Sequence, residues 1–408
     1  MKKISKWLVM VVLLTFVAGI AIGCGGGGQS SQPAPSSEGS QGDASGGGEP
    51  IKVGVNYELS GAVATYGTHS KDGILLAIEE INAAGGVLGG RMLEPIVLDN
   101  KSDNAESLSV ATRLIADEGV VAHLGPATTG NTLAAIPVAT EYKVPLLTTS
   151  ATSPDVTVDP QTGQTRDYIF RTCFIDPPQA IVAASFIYND LGLKKAAVYY
   201  DNTNDYSKGL YKVFKEEFTK LGGTVVAEEG YVDTDKEFRP TLTKFRDAGA
   251  EVVYLPGYYQ QAALIVSQAR ELGLNVPFVG ADGWDSPDLV KIAGAENLNN
   301  TFFTNHYSSQ DQDPKVQKFV EAYKAKYGDA PDSFAALGYD AAYLLADAIN
   351  RAGSADPEAI KTALANTKDF EAVTGTMSFD EFHNPVKEIA IIEMLDGNQV
   401  LKTKIAPN

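Results

Sequence analysis

Thr128 and Thr129 follow a short apolar run and a Gly125-Pro126 turn, and they open an amphipathic stretch that reads as a helix over 129–142. A helix N-terminus favours an anion, because its first N–H groups have no internal partner and the macrodipole leaves positive charge there. Ser150 and Thr152, in the loop after the next strand, add a backbone carbonyl and a hydroxyl. Asp282, in a loop directly after a strand at 277–279, supplies a fixed negative charge for a cationic group. Each has a plainer explanation. Threonine N-caps helices, hydroxyls solvate loops, and Asp282-Gly283 is the pattern of an Asx turn. Other chemistries find no support. His69, His123, His306 and His383 are scattered without metal-ligand spacing, so no metal or cofactor is expected. Gly85-Gly86 and Gly89-Gly90 lack the strand-to-helix setting of a phosphate loop. No Gly-x-Ser-x-Gly elbow or Cys/His pair marks a nucleophile, so no catalytic residue is expected.

The elements that must carry these residues alternate. Runs with strand character at 51–57, 94–98, 120–124, 144–148, 168–171, 196–200, 224–227, 251–255, 277–279 and 301–305 are separated by amphipathic stretches. Those stretches lie at 66–83, 105–118, 129–142, 178–191, 206–221, 236–248, 259–272 and 313–327. Strands spaced by helices imply parallel sheets covered on both faces. Ten strands exceed one comfortable parallel sheet, so two sheets in two lobes are expected. An internal echo supports the division. Leu114–Val121 and Phe245–Val253 both run helix, Gly-containing turn, strand, and each strand then enters a Gly/Pro turn. The tail at 389–405 reads as a hairpin turning at Asp396-Gly397-Asn398. A cleft between two such lobes, at the carboxyl ends of their strands, is the natural place for a ligand.

The ends and the composition add a location. Lys2, Lys3 and Lys6 precede an uncharged, mostly apolar run from Trp7 to Ile22, and small residues follow. This describes an export signal over 1–23, too short for the roughly 20 apolar residues that span a bilayer. Ala21-Ile22-Gly23-Cys24 resembles the lipobox of bacterial lipoproteins, with Ala21 where Leu is usual. That resemblance implies a lipid on Cys24 and a chain anchored to the cell membrane outside the cytoplasm. Residues 24–50 are mostly Gly, Ser, Pro, Gln and Ala with almost nothing apolar, and read as a flexible linker behind Cys24. A formal charge of −18 argues against nucleic acid as a partner. With Cys24 lipidated, Cys173 is the one cysteine left, expected as a buried small hydrophobe outside any disulfide.

Tyr57-Glu58-Leu59-Ser60-Gly61, Tyr66-Gly67 and Glu79-Glu80-Ile81-Asn82-Ala83-Ala84-Gly85-Gly86 resemble the opening of the leucine/isoleucine/valine-binding protein family. These are type I periplasmic binding proteins serving ABC importers. The resemblance continues in order at Gly125-Pro126-Ala127-Thr128-Thr129, Ser150-Ala151-Thr152-Ser153-Pro154 and Asp205-Tyr206-Ser207-Lys208-Gly209. It ends with Gly257-Tyr258-Tyr259, Gly280-Ala281-Asp282-Gly283-Trp284 and Gly338-Tyr339-Asp340-Ala341. It implies an α/β, two-lobed type I periplasmic binding protein fold, each lobe a mostly parallel sheet flanked by helices. Three crossings near Arg171, His306 and Met377 would join the lobes, giving 51–170 with 307–377 and 171–306 with 378–408. The implied ligand is an amino acid, branched-chain or related. The implied partner is a membrane permease, and the implied state a monomer that closes by hinge bending.

Carried over residue by residue, Ala127, Thr128, Thr129, Ser150 and Thr152 belong to the carboxylate side of the ligand. Asp282 takes the ammonium where the family often has Glu, one methylene longer. Tyr66, Tyr206, Tyr258 and Phe334 match positions that wall the cleft. Trp284 has no fixed family counterpart and enters as a residue shaping the pocket, two places past Asp282. Two other functions suit the same fold: a non-amino-acid ligand such as an amide, urea or aromatic acid, and a sensory receptor role. A hydrolase on an α/β scaffold would need the nucleophile–base pair that the sequence does not offer.

Overall fold

The computed structural model describes residues 47–406. The export signal, Cys24 and the linker up to residue 46 lie outside the described residues.

The chain opens with a five-stranded parallel sheet. Its strands are β1 (Ile51–Tyr57), β2 (Leu93–Asp99), β3 (Ala122–Leu124), β4 (Leu146–Thr148) and β5 (Ile169–Arg171), ordered β2-β1-β3-β4-β5. Six of the seven β1 residues are buried, as a central strand covered on both faces requires. Helices α1 (Ala64–Ala83), α2 (Asn104–Thr112) and α3 (Thr129–Tyr142) provide the crossovers.

A second set follows from α4 (Asp176–Ser185) through β6 (Lys195–Asp201), α5 (Asp205–Lys220), β7 (Thr224–Tyr231), α6 (Arg239–Asp247) and β8 (Val252–Tyr254). It continues with α7 (Tyr259–Glu271), β9 (Phe278–Gly280), α8 (Pro287–Ala293) and β10 (Thr301–Asn305). The chain then returns to the first sheet's side through α9 (Pro314–Tyr327), α10 (Ser333–Ala352), α11 (Pro357–Ala365) and a small hairpin, β11 (Phe370–Ala372) and β12 (Gly375–Met377). It finishes with β13 (Ile389–Leu395), antiparallel to β10, and β14 (Asn398–Ile405), antiparallel to β13. The second sheet therefore has seven strands, ordered β14-β13-β10-β9-β8-β6-β7.

The alternation and the terminal hairpin follow the sequence reading closely. The stretches expected as helices over 105–118 and 178–191 each end in a π-helical turn, Arg113–Asp117 and Phe186–Asp190. Three helices, α8, α10 and α11, are additions. The α10 helix is mostly buried, and Tyr339, Tyr343, Asp347, Asn350, Arg351 and Ala352 reach solvent, so it does carry an amphipathic pattern that the sequence reading passed over. It lies against α1 at two glycines. A Cβ on Gly73 would strike the Ala335 carbonyl, and one on Gly338 the Ser70 carbonyl, so this close approach needs glycine on both helices. Residues 379–384, expected with the second lobe, pack on the first: Phe170 stacks on His383 at 4.3 Å and Thr157 bonds Asn384 at 2.9 Å. Cys173 is buried, and burial pushes its thiol up to about 12.

Candidate functional site

Parallel sheets gather the carboxyl ends of their strands, and the loops there converge from the two lobes on one small cavity of about 240 Å³. Tyr66, Ala127, Thr128, Thr129, Ser150 and Phe334 come from the first lobe, and Tyr206, Tyr258, Asp282 and Gly283 from the second. Nine of these residues are in the set expected from sequence; Gly283 is the addition.

The first-lobe wall is built on the start of α3. Thr128 is its N-cap, with the hydroxyl accepting from the Asn131 N–H. A carboxylate that sequence reasoning passed over already occupies this anion-favouring end. Glu58, fully buried one residue beyond β1, accepts from the N–H groups of Ala127 and Thr128 at 3.1 Å each. It also accepts from the Thr128 hydroxyl at 2.9 Å and the Asn131 amide at 2.8 Å. The signal was available: β1 and β3 are neighbours, so the residue just past β1 faces the loop just past β3. The Thr129 hydroxyl, by contrast, is buried and has no hydrogen-bond partner among the described residues. Ser150 donates its hydroxyl to the Ala127 carbonyl at 2.9 Å.

The second-lobe wall is built around Asp282, buried at the start of a 3-10 turn after β9. Its Oδ1 accepts from the Tyr206 hydroxyl at 2.7 Å, and His306 Nε2 lies 3.1 Å from its Oδ2. Its backbone N–H donates to the Gln179 side chain at 2.9 Å. Burial and the Asp282 charge both hold the Tyr206 phenol well above its ordinary range, so Tyr206 is a neutral donor. Burial pushes His306 below the ordinary histidine range, and Asp282 opposes that only in part. In the sequence His306 is one of four scattered histidines; only the fold brings it beside Asp282.

Four aromatic rings form a continuous side wall. Phe334 stacks on Tyr66 at 4.1 Å, Tyr66 meets Tyr258 edge-on at 5.5 Å, and Tyr258 stacks on Tyr206 at 5.4 Å. The Tyr66 hydroxyl also crosses between lobes, donating to the Gly283 carbonyl and accepting from the Tyr259 N–H.

Two expected residues do not line the cavity. Trp284 is fully buried in the second lobe's core, its indole N–H donating to the Leu255 carbonyl at 3.0 Å and its ring near Phe303. A 3-10 turn has three residues per turn, so a side chain two places on from Asp282 faces another way. Thr152 is also buried, and its carbonyl accepts the Asp176 N–H at 3.0 Å, at the entry to α4.

The charge balance is one-sided. Two buried carboxylates, Glu58 and Asp282, stand at the site, and no lysine or arginine among the described residues lines the cavity. Glu58 has its charge answered by four donors, whereas Asp282 meets only a phenol and an imidazole. The arrangement suits a small molecule that brings its own positive group.

Over residues 50–399 the chain matches the family described as periplasmic binding protein. It is 34% identical to a leucine-, isoleucine-, valine-, threonine-, and alanine-binding protein of Pseudomonas aeruginosa, covering 82% of this chain and 86% of that one. Among solved structures, the leucine binding protein LivK from Thermotoga maritima is similar at a TM-score of 0.81 and 36% identity, over 88% of this chain and 99% of that one. The branched-chain amino acid transporter substrate binding protein LivJ from Streptococcus pneumoniae, in complex with isoleucine, gives 0.82 and 40% with the same coverage. A solute binding protein of an ABC transporter from R. palustris, in complex with benzoate, gives 0.78 and 25%, over 88% of this chain and 97% of that one. Two mostly parallel sheets facing each other across a charged, aromatic-walled cavity, and a family match that runs from β1 into the terminal hairpin, make this chain a member of the periplasmic binding protein family.

Proposed function

We propose that this chain is the extracytoplasmic solute-binding component of an ABC importer and that it takes an α-amino acid with a small aliphatic side chain. The observation that carries the reading is Asp282. A buried carboxylate facing only neutral donors is costly to leave unpaired, and an incoming ammonium relieves it. The ligand carboxylate is assigned to the Thr129 hydroxyl and N–H at the start of α3, with Ser150 in a supporting place through its bond to the Ala127 carbonyl. Ala127 and Thr128 act one step back, because Glu58 holds their donors. Tyr66, Tyr206, Tyr258 and Phe334 pack the side chain, and the small cavity limits its size.

The three passages between sheets, after Arg171, after Asn305 and between Met377 and Ile389, serve as the hinge. Lobe one is then 51–170 with 307–377, and lobe two 171–306 with most of 378–408. The chain works as a monomer without catalysis, held to the membrane by a lipid on Cys24, and delivers its solute to a permease.

One relative's complex with benzoate raises a second reading, an aromatic acid as ligand. A carboxylate without an ammonium leaves Asp282 unanswered, so the amino acid is preferred. A thermal-shift screen separates them, since a ligand that binds only the folded protein raises its melting temperature by mass action. Leucine, isoleucine, valine, alanine or threonine should raise it and benzoate should not. The reverse pattern refutes the proposal.

A further inference from the structure

We infer that His306 is the positioning residue that aims Asp282 at the ligand's positive group; this rests on the amino-acid reading above. Asp282 is fixed at both oxygens, Oδ1 by the Tyr206 hydroxyl at 2.7 Å and Oδ2 by His306 Nε2 at 3.1 Å. A side chain as short as Asp has little reach, so the direction of the carboxylate matters more than it would for Glu.

His306 is itself held on three sides. Its backbone N–H donates to its neighbour's side chain, Asn305 Oδ1, at 2.8 Å. Asn305 Nδ2 donates in turn to Asp285 Oδ2 at 2.8 Å, which also accepts the Ser333 N–H at 2.8 Å from the opposite lobe. The imidazole lies against Phe174, ring centres 3.7 Å apart. His306 thus sits on one of the passages between sheets, tied to the other lobe through Asp285 and to the ligand site through Asp282.

The groups facing its ring are Asp282 from the turn after β9, Phe174 from the segment entering α4, and Lys387 from the last passage. Its Nδ1 is buried without a partner among the described residues, so a second proton there would have no acceptor. The ring therefore stays neutral and donates Nε2–H to Asp282. A neutral donor orients the carboxylate and leaves its charge for the ligand. Acid turns the same ring into an internal cation competing with the ligand ammonium, so affinity falls as pH falls through the His306 titration.

The test is calorimetric titration with L-leucine of wild type, His306→Gln and His306→Leu, at pH about 7.5 and about 5, with melting temperatures of the unliganded proteins to confirm folding. Gln keeps an N–H donor near the Nε2 position and has no proton to gain. At the higher pH His306→Gln should stay within about threefold of wild type and His306→Leu should weaken about tenfold or more, the scale of one hydrogen bond to a charged group. A loss of affinity on acidification that is steeper for wild type than for His306→Gln marks protonation of the ring and supports the inference. Equal weakening of both variants or an unaffected Leu variant overturns the inference. Wild type that binds no amino acid overturns the functional reading along with it, whereas wild type that binds normally confines any failure to His306.

Discussion

Asp282 and Trp284 stand two places apart and do opposite jobs. Asp282 turns into the cavity and Trp284 into the core beneath Gly280, where an added Cβ would strike the indole. Asp282→Ala should weaken leucine binding by roughly 3–5 kcal/mol, the usual effect of removing one partner from a buried charge pair. Titration calorimetry reads it directly, and an unchanged affinity would remove Asp282 from the site. Trp284→Phe should do the converse. Losing the indole N–H leaves the Leu255 carbonyl unsatisfied and costs about 1–3 kcal/mol of stability, while leucine affinity stays within about twofold. Chemical denaturation alongside a binding curve checks both halves, and a large affinity loss without destabilisation would return Trp284 to the pocket. This pair also shows where reading by sequence stops. Residue types and order were enough to gather nine of the cavity's lining residues. Side-chain direction within a 3-10 turn, the claim of Glu58 on the Thr128 donors, and His306 arriving from another strand all depend on geometry that spacing along the chain does not encode.

Elements were legible where their period was clean. The strands of both sheets and the helices with one polar face fell close to their expected places, because a two-fold or 3.6-fold pattern survives whatever packs on it. The α10 helix carries such a pattern too and was passed over, and its N-terminus is tied to α1 by a charged contact. His69 of α1 meets Asp332, the N-cap of α10, and the Asp332 charge raises His69 to about 9 from an ordinary value of 6.5. A raised folded-state value means that the contribution is full below pH 6.5 and is lost as pH climbs through about 9. Its size is on the order of 2 kcal/mol, since each unit corresponds to 1.36 kcal/mol and His69 is partly open to solvent. Denaturant midpoints taken across that window should fall for wild type relative to His69→Gln. Parallel curves for the two proteins would show that the pair adds nothing to the α1–α10 joint.

At the scale of the molecule, ligand affinity depends on contacts that never touch ligand. The rim of the cleft is stitched across the lobes: the Thr65 hydroxyl of α1 donates to Asp288 of α8 at 2.7 Å, and the Tyr259 hydroxyl donates to the Ala62 carbonyl at 3.4 Å. Neither Thr65 nor Asp288 lines the cavity. An open form would exchange these bonds for water, so they bias the population toward closure, and apparent affinity scales with the fraction of molecules able to close. Thr65→Val keeps the shape of the side chain and removes the donor to a charged acceptor. A loss of about 1.5 kcal/mol in the closed state corresponds to roughly tenfold in that equilibrium, so the leucine dissociation constant should rise by up to about tenfold. With leucine in excess, the scattering radius of gyration should still reach the wild-type closed value, because every contact to the ligand remains. A dissociation constant equal to wild type would mean that the rim bonds carry no weight in closing. A saturated variant that still scatters like the open form would mean that Thr65 governs the closed geometry itself, beyond its population.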